Sequence, residues 1–253
     1  MSGTAAVPRL NRLQRLNEEG RDIVRRHWAA QAVADPLGTD RLVELAAQRL
    51  VAAMGLAPPV LAVDLEAGWM SMPFIVGVRL DRDWWHHEST ATPVLGMLES
   101  LRSLPAASLP VISLADRARQ LQRRLADLAP GVARRWEAPL DRCLEDWGRE
   151  SALTEEALQC FVHGDISTDN LLCTAEGRLM LLDFEYAHRG HRLEDLAGLV
   201  VSSAVADDRW TTWVPATERV LFETLVRTRA VLDGIWTDLA WTLTGNAAAA
   251  RAH

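Results

Sequence analysis

The stretch FVHGDISTDNLL, residues 161–172, decides how the rest of the chain is read. It places His163, Asp165 and Asn170 in the spacing H-x-D-x-x-x-x-N. That spacing suits a loop in which the aspartate accepts a hydroxyl proton and the asparagine ligates Mg²⁺. The aspartate must face the acceptor while the asparagine reaches a metal on the other side of the transferring phosphoryl group. Taken alone, the same residues could form a polar turn between two apolar runs.

The segment behind the loop favours the chemical reading. LMLLDFEY, residues 179–186, predicts a buried strand with Asp183 at its end and Glu185 two residues on, on the same face of an extended chain. A carboxylate on such a strand costs several kcal/mol to bury unless it is paired, and Mg²⁺ is an efficient partner. Loop, turn, apolar strand and D-F-E in that order are a much rarer coincidence than either motif.

The bulk numbers set the frame. The chain has 253 residues, 49% of them hydrophobic and 24% charged, enough for one large domain or two small lobes sharing a core. Its formal net charge is -7, which argues against nucleic acid as a partner and for cationic ligands. All 27 cationic residues are arginine, so a lysine is not available for phosphate binding. Cys143, Cys160 and Cys173 form neither a CxxC pair nor a metal pattern, and reduced thiols in a cytoplasmic protein are expected. No apolar h-region and no uninterrupted run of ~18 apolar residues is found, so neither signal peptide nor membrane span is expected.

Along the chain, RDIVRR (21–26) predicts a short strand. Thr39 or Asp40 can cap a helix through LVELAAQRLVAAMG, with Leu42, Leu45, Ala46, Leu50 and Ala53 on its apolar face. A hairpin, Val60–Asp64 and Trp69–Phe74, follows and ends at Gly77. Thr92 then reads as an N-cap with Pro93 at the first helical position. Further helices are expected over 114–128, over 132–147 stopped by Gly148, and from Thr154 through EEALQCF. Beyond Leu193 the chain is mostly helical. A small β-containing region (1–77) thus precedes a larger helical one (78–253).

Here the sequence resembles a known family, the aminoglycoside phosphotransferase and choline kinase group with its thiamine-kinase-like members. HGDISTDNLL is similar to the family loop H-G-D-x-x-x-x-N-(L/I)-(L/I), and LLDFEYAHRGHRLEDLA to its I-D-(F/W)-E-Y-A-x-x-G-x-x-x-x-D-L-A segment. GLAPPVLAVDLEAGWMSMPFIVG resembles the family's hairpin and inter-lobe hinge. The resemblance spans about residues 10–200.

What it implies is an α+β, two-lobed protein-kinase-like fold, with a shortened nucleotide-binding N-terminal lobe and a larger catalytic and acceptor-binding lobe. Asp165 would be the catalytic base, Asn170 and Asp183 Mg²⁺ ligands, and Glu185 a support of the metal site. Asp195 would hold the loop backbone, and His163 would pack beneath it. Met72, Pro73, Phe74 and Ile75 would form the hinge facing the adenine. LNRLQRLNEEGRDIVRR puts Arg25 at the phosphate-binding lysine's position with Glu44 as its helix partner; Arg26 is the neighbouring candidate, since strand alternation turns only one inward. On that register the first strand and its loop glycines are absent or replaced by VPRL.

On the acceptor side the late helices carry Trp210, Trp213, Trp236 and Trp241 among acidic residues, a composition that suits a cationic nitrogen by cation–π attraction. Leu225, Leu232, Ile235, Trp236, Leu239 and Leu243 share one stripe, which favours a core place for Trp236. Tyr186 follows Glu185 and could line the same pocket. The expected activity is ATP- and Mg²⁺-dependent phosphoryl transfer to the hydroxyl of a small molecule such as thiamine, choline, an amino sugar or an aminoglycoside. The alternative is a catalytically weak kinase-like ligand-binding protein.

Overall fold

A computed structural model describes residues 11–149 and 158–245 of the chain. It opens with strands β1 (Arg12–Glu18) and β2 (Arg21–His27), joined by Glu19 and Gly20, both at positive φ. Such a two-residue turn matches the twist of an antiparallel pair, and glycine takes its second position without strain. Among the described residues β1 (RLQRLNE) is the one strand ahead of β2 and pairs directly with it, so it stands where the register puts the second strand; the first strand and its loop would lie at VPRL or before. The VPRL residues lie outside the described part.

Helices α1 (Gln31–Leu37) and α2 (Arg41–Ala53) follow. Asp40 caps α2 by accepting hydrogen bonds from the backbone N–H groups of Leu42 (2.7 Å) and Val43 (3.4 Å). The buried face of α2 is not the expected apolar stripe. Leu42 and Ala53 are exposed, while Glu44, Leu45, Ala47, Gln48 and Val51 point inward. Gln48 donates to the carbonyl of Pro58 (2.6 Å), and Glu44 is held by the charges described below, so two polar residues claim the face that periodicity assigned to leucine.

Strands β3 (Ala62–Asp64) and β4 (Trp69–Pro73) complete a four-stranded antiparallel sheet in the order β1-β2-β4-β3. The hairpin is shorter than expected at both ends. Leu45 packs under this sheet against Met70 and Met72, with Val24 and Val63 beside them, as a core of its own. The chain then leaves the sheet after Pro73 and becomes strand again at β5 (Gly77–Arg79). That strand belongs to a different, three-stranded sheet, which corrects the expectation of helix straight after Gly77.

The larger part is built on α3 (Glu88–Arg102), α4 (Leu114–Leu128) and α5 (Pro130–Arg149). Helix α3 starts at Glu88, not at Pro93. Proline is accommodated because its carbonyl partner one turn back would belong to Ser89, which is exposed to water. Gly148 lies inside α5 and does not end it. The expected Thr154 cap and residues 155–157 of EEALQCF fall outside the described residues; Leu158 and Gln159 belong to no helix, and Cys160 and Phe161 are strand.

Four short strands carry the loops of interest: β6 (Cys160–Val162), β7 (Leu171–Thr174), β8 (Leu179–Leu181) and β9 (His188–Gly190). β7 pairs with β5 on one side and β8 on the other, and β6 pairs with β9, so two small sheets grip the chain on either side of residues 163–170 and 182–187. Helices α6 (Glu194–Ser203), α7 (Asp207–Trp210) and α8 (Arg219–Leu243) close the fold, with α8 packed across α4, α5 and α6. Leu121, Leu125, Leu225, Ile235 and Leu239 lie in the main core. Among the described residues no helix is long and apolar enough to cross a membrane.

Candidate active site

Strand β6 delivers the chain into a loop whose backbone is pinned from below. Asp195, in the first turn of α6, accepts hydrogen bonds from the backbone N–H groups of His163 (2.9 Å) and Gly164 (3.1 Å). Gly164 has φ +78, and a Cβ there would lie 2.3 Å from the carbonyl oxygen of Tyr186, so only glycine fits. The ring of His163 is fully buried and packs edge-on to Phe184. Its Nδ1 accepts from the backbone N–H of Asp165 (3.3 Å), which leaves Nε2–H to donate to the carbonyl of Leu182 (3.1 Å). Burial lowers its pKa, keeping it neutral and in that tautomer.

These contacts aim Asp165 into the cleft. Its carboxylate is 38% exposed, yet it sits at the foot of a walled site where lost hydration dominates. That loss pushes its pKa up to about 6, with Arg229 opposing and Asp183 adding to the rise. Asn170 donates through Nδ2 both to the carboxylate (3.0 Å) and to the carbonyl (2.8 Å) of Asp165. The Asn170 carbonyl in turn accepts from the backbone N–H of Leu182, tying the loop to the segment behind β8.

Asp183 follows that segment at φ +70, a left-handed position that aspartate tolerates better than most residues. Strand geometry has ended there, so Asp183 and Glu185 come together through a turn and not along an extended strand. Both face one guanidinium. Arg26, on β2, lies 2.5 Å from Asp183 and 3.4 Å from Glu185, and its Nε is 2.7 Å from Glu44. The Arg26–Glu44 atoms are close but misaligned for a hydrogen bond, so the contact is an ion pair. Trp28 donates to the other oxygen of Glu44 (2.8 Å), and Asn11 donates to Glu185 (2.6 Å). Burial works against the charge of Arg26, but Asp183, Glu44 and Glu185 outweigh it. Burial, then Asp183, push Glu185 up to about 8. Burial also raises Glu44, with Arg26 opposing.

The register therefore falls on Arg26, and the assignment of Arg25 is corrected. Arg25 pairs with Glu18 (2.6 Å) and lies over the ring of Trp69 on the opposite face of β2. Alternation turns one arginine in and one out, and Arg26 stands opposite Met70, whose side chain lies in the core beneath the sheet.

The remaining expected residues divide. Met72 is buried in β4, Phe74 donates its N–H to the carbonyl of Asp22 (2.9 Å) and lies under Arg15, and Ile75 is half-buried on the crossing between sheets. Pro73 stands opposite Ile23. Tyr186 is buried; its hydroxyl accepts from Trp236 (2.6 Å). Trp210 packs on Phe222 and Trp213 stacks on Trp84, contacts that belong to the helical core and not to the Asp165 cluster. A cavity of about 390 Å³ opens instead beside Trp136, Asp233 and Asp238, between α5 and α8.

One contact was not anticipated. Arg229, on α8, reaches the carbonyl of Gly164 (2.6 Å) and the carboxylate of Asp165 (3.2 Å), and Asp233 lies 2.7 Å from its Nε. The available signal was an arginine interrupting an otherwise apolar helical stripe.

Asp183, Glu185 and the amide oxygen of Asn170 offer only oxygen donors, the chemistry a hard divalent cation prefers. Among the described residues no three of His, Cys, Asp and Glu cluster as a closed metal site. Magnesium does not need one, being held by one or two carboxylates together with phosphate oxygens. The surplus of carboxylates over the one guanidinium, seen in the raised Glu185, fits an added cation.

A profile of the APH group, the phosphotransferase enzyme family, matches residues 9–244. No curated protein matches the chain in sequence. Among solved structures, choline kinase LicA from Streptococcus pneumoniae superposes with a TM-score of 0.68 at 16% identity, covering 99% of this chain and 92% of that one. A choline/ethanolamine kinase family protein from Mesorhizobium loti gives 0.65 at 18% identity, over 95% and 87%. The streptomycin–ATP ternary complex of APH(2")-IIa gives 0.52 at 19% identity, over 74% and 70%.

Proposed function

Because the chain belongs to the phosphotransferase enzyme family and is a small-molecule kinase with a hydroxyl acceptor, we propose that Asp165 is its base and that a cationic alcohol is its acceptor. The observation that carries the reading is the convergence on one cleft of Asp165, Asn170, Asp183 and Arg26 from three separate segments.

In this reading residues 1–77 form the nucleotide lobe and 78–253 the catalytic and acceptor lobe. The hinge 72–75 faces the adenine, and ATP is the co-substrate, as in the ATP complex of the APH(2")-IIa relative. Asp165 accepts the acceptor's hydroxyl proton as a hydrogen bond, orients the oxygen for in-line attack and takes the proton late. His163 and Asp195 fix the loop so that this carboxylate does not wander. Asp183 and Asn170, with Glu185 beside them, would hold Mg²⁺, which supplies charge neutralisation for the phosphates. Arg26 supplies a second, permanent positive charge in a forked donor that suits phosphate oxygens.

A cationic acceptor is supported by the formal net charge of -7; in the cavity beside Asp165 the carboxylates of Asp233 and Asp238 are already paired with Arg229 and Arg135. Choline, ethanolamine and streptomycin appear in the names of the structural neighbours. The test is phosphoryl transfer across a panel of choline, thiamine, amino sugars and aminoglycosides, with Asp165→Asn and Asp183→Ala as controls. Turnover that survives both substitutions would remove these residues from the mechanism.

The single strand found ahead of β2 among the described residues favours a second reading, a weak kinase-like binder. Calorimetric titration of ATP with and without Mg²⁺ separates the two. Absence of nucleotide binding at millimolar concentration would select the second.

A further inference from the structure

Helix α8, which lines the cavity beside Asp165 with Asp233 and Asp238, also places Arg229 3.2 Å from the Asp165 carboxylate. We propose that Arg229 is a positioning residue for Asp165, anchored by Asp233, which fixes one carboxylate oxygen and leaves the other to meet the acceptor. The proposal rests on the reading of Asp165 as the base.

The geometry is that of a clamp. One nitrogen of the guanidinium donates to the carbonyl of Gly164 at 2.6 Å, and the other to Oδ1 of Asp165 at 3.2 Å. A single rigid fork thus grips the backbone and the side chain of consecutive residues, which a lysine's point charge cannot do. Oδ2 of Asp165 is the oxygen that meets Asn170, so the two oxygens have separate partners. Asn170 would give its amide oxygen to Mg²⁺ only by letting go of Oδ2, which would then be free for the acceptor while Oδ1 stayed on Arg229.

The surroundings show why the clamp does not drift. The Arg229 side chain is only 9% exposed, and Asp233, one helical turn on, lies 2.7 Å from its Nε. Gly198 of α6 passes beside it; a Cβ there would meet Ile166 at 3.3 Å and Arg229 at 3.8 Å. The neighbouring inward positions of α8, Leu225, Leu232 and Ile235, are apolar core. A buried ion pair among such residues contributes little net stability compared with apolar packing, so its value lies in what it orients.

The experiment measures kcat and KM with MgATP and the acceptor panel. No turnover by the wild type, or full turnover by Asp165→Asn, overturns the reading of the base and the positioning role with it. Given wild-type turnover and an inactive Asp165→Asn, the double variant Arg229→Met/Asp233→Asn removes the buried guanidinium together with its half-buried partner, and its melting temperature is measured beside kcat. It is expected to lose about 100-fold in kcat, the scale of a 1 Å misplacement, with KM for ATP unchanged. Arg229→Lys, which keeps the charge and loses the fork, recovers part of that loss. A double variant with wild-type kcat, or a loss confined to KM for ATP, overturns the positioning role and leaves Asp165 as the base.

Discussion

Arg26 and Glu44 meet at 2.7 Å inside the protein, and the same guanidinium also faces Asp183 and Glu185 from the other side of the cleft. One residue therefore joins the strand sheet, helix α2 and the D-F-E segment. Arg26→Ala strands three carboxylates and is expected to cost about 3–5 kcal/mol, the penalty for an uncompensated buried charge. Nucleotide affinity should fall with it. Arg25→Ala breaks a half-exposed pair with Glu18 and the contact with the Trp69 ring, and should stay within about 1 kcal/mol. Chemical denaturation and the KM for ATP of both variants check this, and equal effects would contradict the register.

The carboxyl of Glu185 gives a dependence on pH. Its folded pKa, about 8, lies above the unfolded value of about 4.3. Its contribution to stability is complete below the unfolded value and is lost as pH rises through the folded one. The metal-free protein should accordingly melt lower at about pH 8 than at about pH 5, and Glu185→Gln should flatten that slope. Added Mg²⁺ should restore the wild type more than the variant. A steeper slope in Glu185→Gln would show that the carboxyl is ionised in the folded state.

Gly164 and Gly177 share nearly the same backbone conformation, φ +78 and φ +77, but not the same surroundings. An added methyl at Gly177 meets nothing within 4 Å, whereas at Gly164 it meets the Tyr186 carbonyl at 2.3 Å. Gly177→Ala should cost about 1–2 kcal/mol, from backbone strain alone. Gly164→Ala should cost more and remove turnover, because the loop must move to relieve the clash. Thermal melts and kcat for the pair separate strain from collision.

Asp195 satisfies two buried backbone donors at once. Asp195→Asn keeps one acceptor and turns an amide N–H toward another donor, so a cost of about 1–3 kcal/mol is expected. Turnover should fall while the KM for the acceptor changes little. A variant with unaltered kcat would free the loop from dependence on this side chain.

The loop and the D-F-E segment were legible because their chemistry is local: spacing alone brings Asp165, Asn170 and Asp183 near one another. Arg25 against Arg26 was not, because alternation says that neighbours face opposite ways without saying which way is inward. That depends on β4 supplying Met70 opposite Arg26. The face of α2 was misassigned for a related reason. Helical periodicity seeks an apolar stripe, and this helix turns Glu44 and Gln48 inward to serve partners on other elements. The tryptophans misled by composition, since Trp210 and Trp213 spend their rings on core packing. Arg229 lies 64 residues from Asp165, and no local pattern links them.

That separation also sets a clock. During synthesis at about 5–20 residues per second, Arg229 follows Asp165 by roughly 3 to 13 s. Because α8 also gives Leu225, Ile235 and Leu239 to the main core, the packing of the helical part and the Arg229–Asp165 contact are completed together, and only after α8 has been made.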